Sequence, residues 1–161
     1  MRKALLLALA VVSLTTQAIE PGQPAPAVSL PDGQGKTMNL ASLRGKVVYL
    51  DFWASWCGPC RKSFPWMNEL GRQHGKDGLI VVAINLDEQR ADANQFLIRQ
   101  PASFQVLYDP GSSTAKAFGL KGMPSSYLID QQGVIRYSHI GFRDDSPAEI
   151  TPKILELLKQ K

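Results

Sequence analysis

Hydrophobic positions along the chain fall into two periods. Val47-Val-Tyr-Leu-Asp-Phe-Trp53 and Leu79-Ile-Val-Val-Ala-Ile84 are nearly unbroken apolar, β-branched runs, the pattern of strands buried on both faces of a parallel sheet. Between them, Gly58 to about Gln73 sets Phe64, Met67 and Leu70 near helical spacing and closes at His74-Gly75, where glycine ends a helix. Asp87 to about Arg99 reads as a further helix that Pro101 stops, which completes a βαβα unit. Phe104 to Tyr108 then predicts a short strand and Ser112 to Phe118 a short helix closed by Gly119. Ser126 to Asp130 and Val134 to Ile140 pair as a hairpin across Gln131-Gln132-Gly133. The final helix carries Ile150, Ile154, Leu157 and Leu158 on one face. Ser146-Pro-Ala-Glu149 has the spacing of a capping box with proline at N1, and Pro152 is expected to kink that helix or mark its true start.

The amino-terminal third has a different texture. Arg2 and Lys3, the apolar stretch Ala4 to Leu14 and the small-residue site Thr16-Gln17-Ala18 make residues 1–18 a secretory signal peptide, cleaved near Ile19. Eleven residues rise only ~16 Å as a helix against a hydrocarbon core of ~30 Å, so no permanent membrane anchor is expected. Glu20 to Pro26 is too proline-rich for regular structure and reads as a surface lead-in. Val28 to Leu30 and Lys36 to Leu40 form a small hairpin around Pro31-Asp-Gly-Gln-Gly35. Residues 19–161 are expected to form one α/β domain.

Composition narrows the functional classes. With 161 residues, 44% hydrophobic and 20% charged, the chain is neither a polytopic membrane protein nor wholly disordered. Its net charge of +4 falls to +2 without Arg2 and Lys3, and no basic stripe appears, so nucleic acid is not an expected partner. Two cysteines cannot build a disulfide-dense scaffold or a four-cysteine zinc site.

That pair lies in Trp56-Cys57-Gly58-Pro59-Cys60, where a buried strand turns into a helix. A helix N-terminus offers unpaired N–H groups and about half a positive charge, which lowers a thiol pKa from about 8.5 into the range of about 3.5–7.5. Cys57 is therefore the better nucleophile, and Cys60, one turn further in and more buried, the resolving thiol. Two other readings compete. A structural disulfide would close a very small loop and remove little unfolded-state entropy. Half a zinc site would need partners, and the two histidines, His74 and His139, fall at a helix end and on a hairpin strand. No metal and no cofactor is expected. Asp51 is the one charge in an otherwise apolar strand, so its carboxyl should stay protonated well above the ordinary range and exchange a proton with Cys60.

Asp51-Phe-Trp-Ala-Ser-Trp-Cys-Gly-Pro-Cys60 closely resembles the active-site segment of thioredoxin, and the chain from about residue 22 onward resembles the periplasmic TlpA/ResA-like branch of that superfamily. The resemblance also rests on Arg44-Gly-Lys46 after the hairpin, Pro65 in the following helix, the helix-strand insertion after Leu86, and Gly122-Met-Pro-Ser125. It implies a thioredoxin fold: a central mixed β-sheet flanked by helices, with an N-terminal β-hairpin and that insertion. It implies thiol-disulfide exchange, with Cys57 attacking, Cys60 resolving, Pro124 as a cis-proline facing the cysteines and the Met123 backbone pairing with a bound substrate strand. Trp56, Gly58 and Pro59 complete the expected substrate rim, while Trp53 fills core. Glu88 matches an acid that some ResA-like proteins place near their cysteines; as a solvated acid in the first turn of a helix it reads equally well. Where many TlpA-like chains carry asparagine, this one has Asp51.

The function expected is that of a periplasmic reductant. It would take electrons from a membrane thiol carrier and pass them to oxidised secreted proteins, acting as a monomer. Net oxidation of substrates, or a binding or chaperone module switched by its cysteine pair, are the alternatives.

Overall fold

The computed structural model describes residues 19–160. The signal peptide read in residues 1–18 lies outside them. Seven strands and four helices follow in order: β1 Ser29–Pro31, β2 Thr37–Asn39, β3 Val47–Trp53, α1 Gly58–His74, β4 Leu79–Asn85, α2 Arg90–Arg99, β5 Gln105–Tyr108, α3 Ser113–Ala117, β6 Ser125–Ile129, β7 Ile135–Ile140 and α4 Ser146–Lys159. Short 3-10 turns at Leu40–Leu43 and Gly75–Asp77, which the hydrophobic pattern does not announce, join β2 to β3 and α1 to β4.

The five-stranded sheet runs β5-β4-β3-β6-β7. β3, β4 and β5 are parallel, and β6 and β7 are antiparallel to their neighbours. β3 is central and every one of its residues is buried, as its unbroken apolar run requires. Strand alternation sends Val47, Tyr49 and Trp53 into one layer of core, with Phe64 and Met67 of α1, Phe96 of α2 and Ile150 and Ile154 of α4. Val48, Leu50 and Phe52 enter the opposite layer, closed by Leu30 of the β1–β2 hairpin, by Leu40, and by Ala115 and Phe118 around α3. Asp51 shares the α1 face with Tyr49 and Trp53.

Several expectations are corrected. α2 begins at Arg90 rather than Asp87, because the Asp87 carboxylate is engaged elsewhere. The Ser146 hydroxyl does not cap an N–H inside α4; it accepts the Arg143 N–H at 2.9 Å, and Glu149 turns to the Tyr137 hydroxyl instead of back to the helix start. Pro152 lies inside α4 and does not mark its beginning. The lead-in at Glu20 to Pro26 is not free of pairing: Gly22 and Ala25 donate to the Ile135 and Gly133 carbonyls at 2.7 and 2.9 Å, which covers the start of the β7 edge.

Pro65 interrupts the α1 ladder, leaving the Arg61 carbonyl without its i+4 donor. The Gln100 side chain, at the end of α2, donates to that carbonyl at 2.6 Å. Asn68 of α1 donates to the Pro101 carbonyl at 2.9 Å and accepts from the Ser103 N–H at 2.7 Å. The α2–β5 insertion is thereby stitched to the helix that carries the cysteines. The hairpin between β6 and β7 closes on Asp130, whose Oδ1 accepts the Gln132 and Val134 N–H groups, with Gly133 at φ +75°.

Candidate active site

β3 ends at Trp53 and the chain must turn sharply within four residues to start α1 at Gly58. A carboxylate makes that turn. Asp87, buried just past β4, accepts the Ser55 N–H at 2.9 Å on Oδ2 and the Ser55 hydroxyl at 2.9 Å on Oδ1. Asn85 holds it in place, its amide donating to Oδ2 at 2.7 Å while its Oδ1 accepts the Asp87 N–H at 3.2 Å. The Cys57 N–H closes the turn onto the Ala54 carbonyl at 3.1 Å. Sequence reading missed this network; the one available signal was a polar Asn-Leu-Asp at the end of an apolar strand.

Cys57 is the N-cap of the 17-residue α1. Its Sγ accepts the Cys60 N–H at 3.3 Å, and Pro59 in the first turn removes an N–H that would otherwise be orphaned. Cys57 and Cys60 are joined as a disulfide, with Cα atoms 5.4 Å apart, so the molecule is in its oxidised form. Cys57 is 4% exposed and Cys60 wholly buried. Ser63, one turn on, donates its hydroxyl to the Cys60 carbonyl at 3.0 Å.

Around the pair, Trp56 is 70% exposed, Gly58 and Pro59 lie at the surface, and Trp53 is buried between Phe64 and Phe96. The Met123–Pro124 bond is cis, directly before β6, with Pro124 buried and Met123 half-buried against the core layer that contains both cysteines. Gly58, Pro59 and Lys62 share a shallow cleft with Phe142, Arg143 and Asp144, bridged by a Lys62–Asp144 ion pair at 3.0 Å.

Asp51 lies 1% exposed on the α1 face of β3, and its Oδ2 has no hydrogen-bond partner. Burial pushes its carboxyl well above the ordinary carboxylate range. Glu88 is exposed in the bend between β4 and α2, before the first turn of the helix; Asp87, one position earlier, is the acid that turns inward. Among the described residues no three His, Cys, Asp or Glu side chains gather as metal ligands, and no helix is long and apolar enough to cross a membrane.

The redoxin family model matches residues 20–154. ResA, a thiol-disulfide oxidoreductase of Bacillus thuringiensis, is 35% identical over 117 residues, covering 73% of this chain and 68% of its own. ResA of Halalkalibacterium halodurans is 30% identical over 138 residues, covering 86% and 77%. The crystal structure of a Chlorobium tepidum protein described as a thiol:disulfide interchange protein DsbE superposes with a TM-score of 0.85 at 45% identity, over 88% of this chain and 99% of that one. A Bacteroides thetaiotaomicron protein described as a disulfide isomerase gives 0.80 at 32% identity, over 88% and 92%. A mixed sheet with the cysteine pair at the end of its central strand, and relatives of this closeness, place the chain in the redoxin family as a TlpA/ResA-like thiol-disulfide oxidoreductase of thioredoxin fold.

Proposed function

We propose that the protein reduces disulfides of secreted proteins in the periplasm, which it reaches through the leader in residues 1–18. The observation that carries the assignment of roles is Cys57 at the α1 N-cap, its sulfur accepting the Cys60 N–H. Once the pair is reduced, that bond and the helix dipole favour a thiolate on Cys57. The thiolate attacks a substrate disulfide, forming a mixed disulfide and releasing one substrate thiolate. Cys60 then attacks the Cys57 sulfur, releasing the second and leaving the Cys57–Cys60 bond present here. Two electrons from a membrane thiol donor restore the dithiol.

The remaining groups serve those steps. Asp51 accepts the Cys60 proton during resolution, a role that suits a buried carboxyl whose proton affinity burial raises well above the ordinary carboxylate range. The Met123 backbone pairs with an extended substrate strand, and Pro124 presents no N–H to compete for it. Trp56, Gly58 and Pro59 form the docking rim. Glu88 is an exposed acid beyond β4, and none of these steps is routed through it. The Gly-Pro between the cysteines resembles reducing members of the superfamily, which favours reduction over net oxidation.

A Cys60→Ser variant expressed in the native cell is expected to accumulate mixed disulfides with secreted proteins, and the wild-type pair to have a potential near thioredoxin's ~−270 mV. A potential near ~−120 mV, the range of dedicated oxidants, would reverse the direction. Failure to reduce insulin with dithiothreitol as donor would favour a switched binding module instead.

A further inference from the structure

The loop between β7 and α4 lies beside the cysteines and is tied down at both ends. Gly141, at φ +83°, donates its N–H to the Pro124 carbonyl at 2.7 Å, so the loop leaves the sheet at the cis-proline. Phe142, buried, sets its ring against Trp66 of α1 at 5.5 Å between centroids. Phe142, Arg143 and Asp144 then form one wall of the shallow cleft whose other wall is Gly58, Pro59 and Lys62. Gly58 and Pro59 separate the two cysteines, so this cleft adjoins the reacting sulfurs. The Lys62–Asp144 pair spans it, but those side chains are 62% and 90% exposed, and so solvated a pair holds a loop weakly.

A buried hydroxyl holds the far end. Ser146, 1% exposed, accepts the Arg143 N–H at 2.9 Å, and its own N–H donates to the Arg143 carbonyl at 3.1 Å. The hydroxyl proton then needs an acceptor, and His139 Nε2 lies 3.3 Å away. The other ring nitrogen, Nδ1, lies 3.4 Å from the Tyr137 hydroxyl, whose proton goes to Glu149. With that proton committed, the contact is a hydrogen bond only if Nδ1 donates, which leaves Nε2 to accept from Ser146. The His139 side chain is itself fixed, 10% exposed and stacked on the Tyr137 ring.

We propose that His139 and Ser146 are positioning residues for substrate docking: through the Arg143 backbone they hold Phe142, Arg143 and Asp144 as the second wall of a groove for the polypeptide that flanks the substrate disulfide. The inference rests on protein disulfides being the substrates, as proposed above. Neither residue takes part in the exchange itself. A small disulfide, which needs only the Cys57 sulfur, makes no use of that wall. A polypeptide loses a preorganised surface when the loop is released.

Stopped-flow oxidation of the reduced protein, followed by tryptophan fluorescence over a range of disulfide concentrations, tests this with insulin and with hydroxyethyl disulfide. His139→Phe keeps a ring against Tyr137 and removes both nitrogens, whereas Ser146→Ala removes the hydroxyl alone. Each should raise the half-saturating insulin concentration about fivefold, the scale of one net hydrogen bond, with the limiting rate and the hydroxyethyl disulfide rate at wild-type values. His139→Gln, whose amide oxygen can accept the Ser146 proton, should recover most of the loss. Ser146→Ala, the milder change, decides the matter if His139→Phe does not fold. Insulin half-saturation equal to wild type would overturn the proposal. An equal loss on both disulfides, or no recovery in His139→Gln, would mark general packing damage and overturn it too. A wild-type protein oxidised by hydroxyethyl disulfide and not by insulin would instead overturn the protein-disulfide reading itself.

Discussion

Asp87 holds Ser55 by backbone and side chain at once, with the N–H on Oδ2 and the hydroxyl on Oδ1, both at 2.9 Å. The two residues are 32 positions apart and come from the ends of adjacent strands, so the loop before Cys57 is fixed by β4 and not by its own sequence. A nucleophile delivered to a helix N-cap needs its preceding turn held still. In this chain a buried acid does that.

Asp87→Asn should therefore loosen the turn. Three donors, the Ser55 N–H and hydroxyl and the Asn85 amide, converge on the carboxylate, and one amide group would meet them with its own N–H. A loss of about 1–3 kcal/mol is expected in guanidinium unfolding of the oxidised protein, the usual consequence of leaving a buried donor unpaired. The reduced variant should also alkylate more slowly at Cys57. Unchanged midpoint and unchanged alkylation together would show that the clamp contributes to neither.

The order of the cysteines follows from the N-cap. With the pair reduced, iodoacetamide at pH 5 should label Cys57 ahead of Cys60, because the thiolate on Cys57 is stabilised by the α1 N-terminus and Cys60 is wholly buried. Mass spectrometry of partly labelled protein reads the order directly. Cys60 labelled first would exchange the roles of the two thiols.

What the sequence showed and what it hid divide along one physical line. β3 and β4 were legible because a strand buried on both faces leaves an unbroken apolar run, and β3 keeps the bounds Val47–Trp53. α1 was legible because Phe64, Met67 and Leu70 repeat at helical spacing beneath Cys60. The Cys-Gly-Pro-Cys turn was legible because a dithiol at a strand-to-helix junction has few other uses. The misread helix starts involve polar side chains whose partners lie outside the helix. Asp87 looked like a helix-starting acid and instead grips Ser55. Ser146 and Glu149 had capping-box spacing and instead bond Arg143 and Tyr137. Local spacing records which bonds a polar residue can make, and tertiary contacts select among them.

The insertion after β4 has a direct packing role behind the site. Phe96 of α2 stands 4.8 Å, centroid to centroid, from both Trp53 and Phe64, and those two are 4.8 Å from each other. Phe96→Ala should cost about 3–5 kcal/mol by opening a cavity in that triangle, whereas Phe96→Leu, which refills most of it, should cost clearly less. Thermal unfolding of the two variants checks the ranking. Equal and small losses would mean that the insertion packs loosely on the fold.

Asp51 makes a prediction about stability as well as rate. Its folded carboxyl is raised well above the ordinary range by burial, so between the unfolded pKa of about 3.9 and the folded one the native state binds more protons than the unfolded chain. Stability must then fall as pH rises through that window: it is fully present below about pH 4 and diminishes until the folded group has titrated. A carboxylate held by hydrogen bonds opposes this at the acid end. Asp130, where burial works against it but the Val134 N–H and Arg136 prevail, is held below its usual value, and its contribution is lost as pH falls through the folded pKa. Asp51→Asn removes the first effect and leaves the second, so the difference in stability between variant and wild type isolates the buried acid. That difference should grow in favour of the variant from pH 5 to pH 8, read as denaturation midpoints of the oxidised proteins, and become flat once Asp51 is ionised. A difference independent of pH would mean that Asp51 titrates alike in the folded and unfolded chains, and a buried acid with an ordinary pKa could not hold the Cys60 proton near neutrality.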